Sequence, residues 1–368
     1  MKVFTIGGAT LDTIIEYSSK EKIPSFYKKE DLNFPYMLFR EGSKIQITKQ
    51  KISSGGGATN AAVSFKKMNF DVSFFGKIGN DNNGRFLLEE LDAQGIDISL
   101  VQSSNFSGTA TSFVVPSLKG DRIIFAYCGA NCDLSLNKNL PVKVIKNSDF
   151  LYITSLGKQS TSELDSVVNL AKKYDTKVVM NPGLSQLSDL NSINLIKSLL
   201  DKIDIFIVNY EESQKLISSF SKKLTNNRKR SFLKSTQNDE SISTFLTFKK
   251  RFSFLNFFFK SLLSLGVRIV VLTDGSNGVY IADSKNIYFH PALKVSNIVN
   301  TLGAGDAFGS TFCSGIYSNE SIENSIKFGL INSSSVIQYH DAKSGLLTKK
   351  ELFNLSKNIK IFPTIINW

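Results

Sequence analysis

The sequence predicts an α/β protein built on a mainly parallel sheet, with a second, smaller β-sheet attached. Three observations carry this expectation. Short apolar runs recur with little internal alternation, the pattern of strands covered on both faces. Helix-period stretches separate these runs, as right-handed crossovers between parallel strands require. Two regions instead alternate apolar and polar residues or read as a hairpin, which suits half-solvated strands.

In chain order, strands of the main sheet are expected at 3–6, 72–75, 150–153, 177–180, 205–208 and 268–273. Helices are expected at 60–67, 83–94, 162–173, 193–200 and 211–219. The alternating region spans about 13–54 and includes Lys44–Ile45–Gln46–Ile47–Thr48. Residues 109–127 read as a hairpin turning at Lys119–Gly120–Asp121. Together these two pieces make a small sheet able to close over a ligand and exclude water. The expected division is a core of 1–12, 55–105 and 132–368, a lid of 13–54 and 106–131, and an insertion at 221–260.

Composition narrows the function. Hydrophobic residues make up 42% and charged residues 21%, enough apolar content for a sizeable core. No window reaches the ~18 uncharged apolar residues of a membrane span. The opening MKVFTIGGATLD lacks the long apolar stretch of a signal peptide, so a cytoplasmic location is expected. Cys128, Cys132 and Cys313 form no CxxC pair and read as small core residues in a reducing compartment. Only His290 and His340 are present, which excludes a His-rich metal centre and argues against a Ser-His-Asp hydrolase. Most of the +12 formal charge lies in 221–260, where ten Lys/Arg face only Asp239 and Glu240. That stretch reads as a solvated basic loop followed by a basic amphipathic helix in its Phe-rich half, and nucleic acid is not the expected partner.

The strongest chemical signal is Asn300–Thr–Leu–Gly–Ala–Gly–Asp306, followed by a run of small and apolar residues. Small residues at 303–305 let backbone N–H groups turn inward, and the following helix would aim its positive end at an anion. Asp306 at that terminus can take the proton of an attacking hydroxyl. Alone, the motif equally fits an Asp capping a helix after a Gly turn. Thr273–Asp–Gly–Ser–Asn–Gly278 follows the most β-branched run, where a hydroxyl and a Gly turn can meet phosphate or ribose. Asn209–Tyr–Glu–Glu212 follows another strand and offers an amide and a carboxylate for hydrated Mg²⁺, or a plain helix cap. Gly55–Gly–Gly–Ala–Thr–Asn60 allows close backbone approach to a ligand, and Asp12 can accept from two hydroxyls. Walker A and GxGxxG phosphate sites are absent.

Taken in order, Asp12, GGGATN, Gly76–Lys–Ile–Gly–Asn–Asp81, Gly129–Ala–Asn131, Asn209 to Glu212, TDGSNG and NTLGAGD are similar to the ribokinase-like (PfkB) carbohydrate kinases. The resemblance covers nearly the whole chain apart from 221–260. It implies a three-layer α/β/α sandwich with a β lid, and an ATP- and Mg²⁺-dependent transfer of phosphate to a sugar or sugar-like alcohol. By it, Asp306 is the base, with Gly303, Ala304 and Gly305 forming the anion hole. It places Asn209 and Glu212 at phosphate and magnesium, and Thr273, Gly275, Gly278 and Asn332 at the nucleotide. Asp12, Gly56, Gly57, Asn60 and Asn131 resemble sugar-hydroxyl ligands, with Asn181 beside them, and pairing of two copies through the lid is implied as well. Two positions depart from the pattern. Asn300 stands where the family's usual Asp helps bind an activating potassium ion, which argues against monovalent-cation activation. The glycine stretch also lacks the basic residue of ribokinases proper, which leaves fructose-type sugars, nucleosides and other polyols open.

Overall fold

Six parallel strands form two thirds of a nine-stranded sheet, out to one edge. From one edge they run Asp71–Phe75, Lys2–Ile6, Phe150–Ile153, Lys177–Met180, Ile205–Asn209 and Ile269–Thr273. Three antiparallel strands, Val279–Ala282, Asn286–His290 and Thr364–Asn367, extend the other edge. This computed structural model describes residues 1–17, 25–26, 36–37, 41–116, 122–137, 142–220 and 253–367.

The central strands are Val-, Ile- and Phe-rich because both faces are covered; every residue of Phe150–Ile153 is buried. One face packs the helices Gly57–Lys67, Ala304–Tyr317 and Ile322–Val336 around Phe65, Phe308 and Phe312. The other packs Leu164–Lys173, Leu190–Leu199 and Tyr210–Phe220 around Val168, Ile196 and Leu216. The result is the expected three-layer sandwich.

The Phe-rich stretch corrects the sequence reading. Residues 253–264 form a helix whose Leu255, Phe258, Phe259 and Leu262 are buried in the second core cluster. Burial of each such side chain contributes about 2 kcal/mol. The helix is amphipathic as expected, but its apolar face belongs to the core, so it is a crossover helix and not part of an insertion. The basic half of the segment, 221–252, lies outside the described residues.

The second sheet has four strands in the order Arg122–Tyr127, Thr111–Pro116, Thr10–Tyr17 and Ile47–Gly55. The predicted hairpin is present, with Arg122 opposite Pro116, while its turn at 119–121 lies outside the described residues. The lid boundary falls earlier than expected. The chain leaves the core at Gly7–Ala9, so Asp12 already belongs to the lid, paired with Ser53 on one side and Ser112 on the other.

The cysteine expectation fails for two of the three residues. Cys128 and Cys132 are exposed and joined in a disulfide, although Cys313 is buried as expected. The single 3₁₀ turn of Gly129–Asp133 brings their Cα atoms to 5.8 Å, a closeness that a four-residue spacing alone does not reveal. Among the described residues no helix is long and apolar enough to cross a membrane.

Candidate active site

The NTLGAGD segment ends on a helix start. Gly303 occupies the N-cap with φ +74°, and the helix runs Ala304–Tyr317. A side chain is disfavoured in that left-handed conformation. At the helix start the amides lack an intrahelical acceptor four residues back, and Ala304 N makes a long bond to the Thr301 carbonyl at 3.4 Å. Asp306, in the first turn, sits beside them.

The glycine stretch packs against this start. Gly56 adopts φ +97° with its backbone pressed on Gly8, where a Cβ would fall 2.4 Å from the Gly8 carbonyl oxygen. That close approach begins the Gly57–Lys67 helix and delivers Asn60, whose Nδ2 donates to Asp306 Oδ2 at 2.8 Å. Asn60 Oδ1 is buried without a hydrogen-bond partner, an acceptor available to a ligand hydroxyl. Gly57 lies so near that a Cβ there would stand 3.5 Å from Asp306 Oδ1. Burial pushes the Asp306 carboxyl up to about 6; Asn60's hydrogen bond opposes the rise, the Asp12 charge adds to it, and Lys343 opposes it. Asp12 reaches the same neighbourhood from the lid. It accepts from Ser112 Oγ at 2.6 Å and is likewise raised by burial, against Ser112 and the Lys343 charge.

A cavity of about 740 Å³ opens between lid and core. Gly8, Gly56, Gly57 and Asn131 line it, with the Cys128–Cys132 disulfide at its lid side. Gly57 thus connects this space to Asp306.

A second group assembles at neighbouring strand ends. Asn209 pairs in register with Thr273, so the two motifs are adjacent. Asn209 Oδ1 accepts from Glu212 N at 2.9 Å, and Asn209 N donates to Glu212 Oε2 at 2.8 Å. This reciprocal cap holds the Glu212 carboxylate over the start of Tyr210–Phe220. Burial pushes Glu212 up to about 7, opposed by the Asn209 amide and reinforced by the charges of Asp306 and Glu211. The shared charge effect brings Glu212 into the electrostatic range of Asp306.

Several predicted residues serve the framework. Asn131 spends its amide on the Ala9 backbone, accepting at 3.1 Å and donating at 3.0 Å, while it still lines the cavity. Asn181 bridges to the Ile207 carbonyl at 2.9 Å. Asn332 is fully buried rather than lining an open pocket. Its Nδ2 donates to Thr311 Oγ1 at 2.6 Å and its Oδ1 accepts from Leu347 N at 2.9 Å, tying together two helices made close by small residues. Gly278 is pressed on the His290 carbonyl, whereas Gly275 faces open space. Asn300 Nδ2 donates to the His340 carbonyl at 2.9 Å and its Oδ1 accepts from Leu302 N at 3.0 Å.

Sequence reasoning missed Lys343, Ser54, Glu90 and Ser112. Lys343 lies in His340–Asp–Ala–Lys343, an unremarkable polar stretch, and only the tertiary fold carries it beneath the lid.

Comparison with known proteins identifies the family. The family model described as "pfkB family carbohydrate kinase" matches residues 22–239 and 258–349. The chain is 28% identical over 305 residues to a ribokinase of Staphylococcus aureus, covering 82% of this chain and 88% of that protein. It is 25% identical over 315 residues to a 5-dehydro-2-deoxygluconokinase of Clostridium botulinum, covering 83% and 84%. The structure of Arabidopsis thaliana ribokinase complexed with ribose and ATP superposes with a TM-score of 0.71 at 21% identity, covering 97% of this chain and 98% of that one. The matched segments span both the lid and the helix start that carries Asp306, and the chain belongs to the pfkB family of carbohydrate kinases.

Proposed function

We propose that the chain transfers the terminal phosphoryl group of ATP to a hydroxyl of a small sugar or sugar-like alcohol, with Asp306 as general base. The supporting observation is a carboxylate raised to about 6 at a helix start, in contact with the glycine turn that lines the cavity. A pKa near neutrality suits proton acceptance while leaving the group mostly ionised at pH 7. The alcohol proton passes to Asp306 as the alcohol oxygen bonds to the γ-phosphorus. The bond to the β-phosphate oxygen breaks and ADP leaves. Amides of Gly303, Ala304, Gly305 and Asp306 stabilise the charge on the transferring group.

Asp12, Asn60 and the backbone at Gly56 and Gly57 hold acceptor hydroxyls, Asn60 through its unpartnered Oδ1. Thr273, Gly275 and Gly278 form the strand-end turn toward the nucleotide, next to Asn209. Asn209 orients Glu212, whose carboxylate would hold Mg²⁺ through water. When bound, the ion neutralises phosphate charge. Its charge would also favour the ionised form of Glu212, which burial alone disfavours.

Asn300 supports independence from potassium. Its NH₂ group donates to the His340 carbonyl, an oxygen that a cation would otherwise have to share, and it brings no negative charge. The cavity volume, large against a monosaccharide, favours a nucleoside acceptor as the second reading. ADP release with ATP, Mg²⁺ and a panel of aldoses, ketoses, sugar acids and nucleosides tests both readings. At least one acceptor is expected to saturate, with turnover unchanged when K⁺ is replaced by tetramethylammonium. ATP binding without ADP release for any acceptor would instead assign a silent binding role, and loss of turnover without K⁺ would reject the Asn300 argument.

The outer lid face carries Phe113 opposite Phe125, 52% and 58% exposed. We read it as a pairing surface for a second copy. Sedimentation is expected to show a dimer that F113S/F125S converts to monomer; a monomeric wild type would end this assignment.

A further inference from the structure

We propose that Lys343 is a positioning residue for the transfer reaction: it ties the lid strand Ile47–Gly55 to the core beside Asp12 and Asp306, where its charge faces both carboxylates. The proposal rests on the phosphotransfer reading above and extends it to a loop outside the motifs.

The geometry is a reciprocal crossing between core loop and lid strand. Lys343 follows the Ile322–Val336 helix and is 8% exposed. Its Nζ donates to Ser54 Oγ, on the Ile47–Gly55 strand, and lies 3.8 Å from Glu90 Oε1. Ser54 in turn donates to Glu90 through Oγ at 2.6 Å and through its backbone N at 3.2 Å. In the opposite direction, Lys51 of the same lid strand pairs with Asp341. Asp341 also folds the loop, with Oδ1 accepting from Lys343 N at 2.9 Å and from Ser344 N at 2.7 Å. The strand held by these contacts ends at Gly55, one residue before the turn that leads to Gly57 and Asn60. Movement of this strand would therefore move Asn60 off Asp306.

The charges around Lys343 come from every element packed on it. Glu90 faces it from the Asn82–Ala93 helix, Asp12 from the lid, Asp306 from the Ala304–Tyr317 helix, and Asp341 from its own loop. Lys51, paired with Asp341, and Lys67 line the same small cavity of about 270 Å³. Burial lowers Lys343 to about 8, while Glu90, Asp12, Asp341 and Asp306 hold it up, so it remains mainly protonated at pH 7. The same positive charge lowers both Asp12 and Asp306, each otherwise raised by burial. Glu90 is already engaged by Ser54. The lysine charge therefore serves the Asp pair as well as its nearest carboxylate.

The test compares the pH profile of kcat/KM for wild type, K343M and K343R. Loss of the cation removes a charge that holds the Asp306 carboxyl down, so the acid limb of K343M is expected to move to higher pH. K343R should restore the wild-type limb. A K343M profile that is scaled down but unmoved makes Lys343 a structural brace and overturns the proposal; an unchanged profile also overturns it. If K343M does not fold, the double variant K343Q/E90Q removes the paired carboxylate too and is read the same way. Failure of both to fold also assigns a purely structural brace. NMR titration of the Asp12 and Asp306 carboxyl carbons in wild type and variant reads the same shift without turnover. An inactive wild type whose carboxyls still respond to Lys343 would reject the kinase reading alone.

Discussion

Asp306→Asn is expected to lower kcat by about 10²–10⁴-fold while leaving ATP affinity near the wild-type value. The amide oxygen still accepts from Asn60, and no helix-start N–H is lost, so the nucleotide site keeps its shape. What disappears is the proton acceptor, and a hundredfold loss corresponds to about 2.7 kcal/mol of barrier. Steady-state turnover with isothermal titration of ATP separates the two effects; equal losses in both would mean that Asp306 shapes the nucleotide site instead. In the wild type the base must be ionised, so turnover should fall as pH drops through about 6. Stability should respond in the opposite sense. The folded carboxyl titrates above its ordinary value of 3.8, so ionising it costs more in the folded state. Asp306→Asn should therefore melt at a higher temperature than wild type above about pH 6, with the advantage fading toward pH 4. Scanning calorimetry across that range would show it.

Gly303→Ala is expected to destabilise the protein by about 2–4 kcal/mol and to reduce turnover by about 10²-fold. Two costs add. The residue sits at φ +74°, where an L side chain costs about 1–2 kcal/mol. Its Cβ would also fall 2.4 Å from Ala342 Cβ and 2.8 Å from Ala342 Cα, so the loop carrying Lys343 must shift. A displacement of about 1 Å at the helix start moves the amides off the transferring phosphoryl group. Gly305→Ala is the control. Nothing lies within 4 Å of a Cβ there, so the fold should be kept while a methyl group intrudes on the phosphate approach. Thermal melts and ATP titrations of the two variants should diverge, with Gly303→Ala losing stability and Gly305→Ala losing affinity. Wild-type stability in Gly303→Ala would remove the steric argument for this turn.

The main sheet was legible because its strands are buried on both faces, which leaves unbroken runs such as Phe150–Ile153 and Val270–Leu272. The crossover helix at 253–264 was not. Its Phe258, Phe259 and Leu262 face the core, but adjacent lysines and arginines made the same stretch look like the basic amphipathic helix of an insertion. Cys128 and Cys132 were read as core residues because a spacing of four carries no signal until a 3₁₀ turn folds it.

Within the site, the sequence by itself determined the local devices. Glycines at 56 and 303 allow positive φ, Asn209 and Glu212 cap a helix, and a carboxylate stands in the first turn after GAG. Each of these depends on residues a few positions apart, so pattern and spacing suffice. Only the tertiary structure decided which devices meet. It set Asn60 on Asp306 across 246 residues and Lys343 beside Ser54 across 289, and it spent the amides of Asn131 and Asn332 on the framework. The physical reason is range. Backbone conformation and capping are settled within one or two turns of chain, whereas desolvation and charge coupling act through space, between residues that folding brings together.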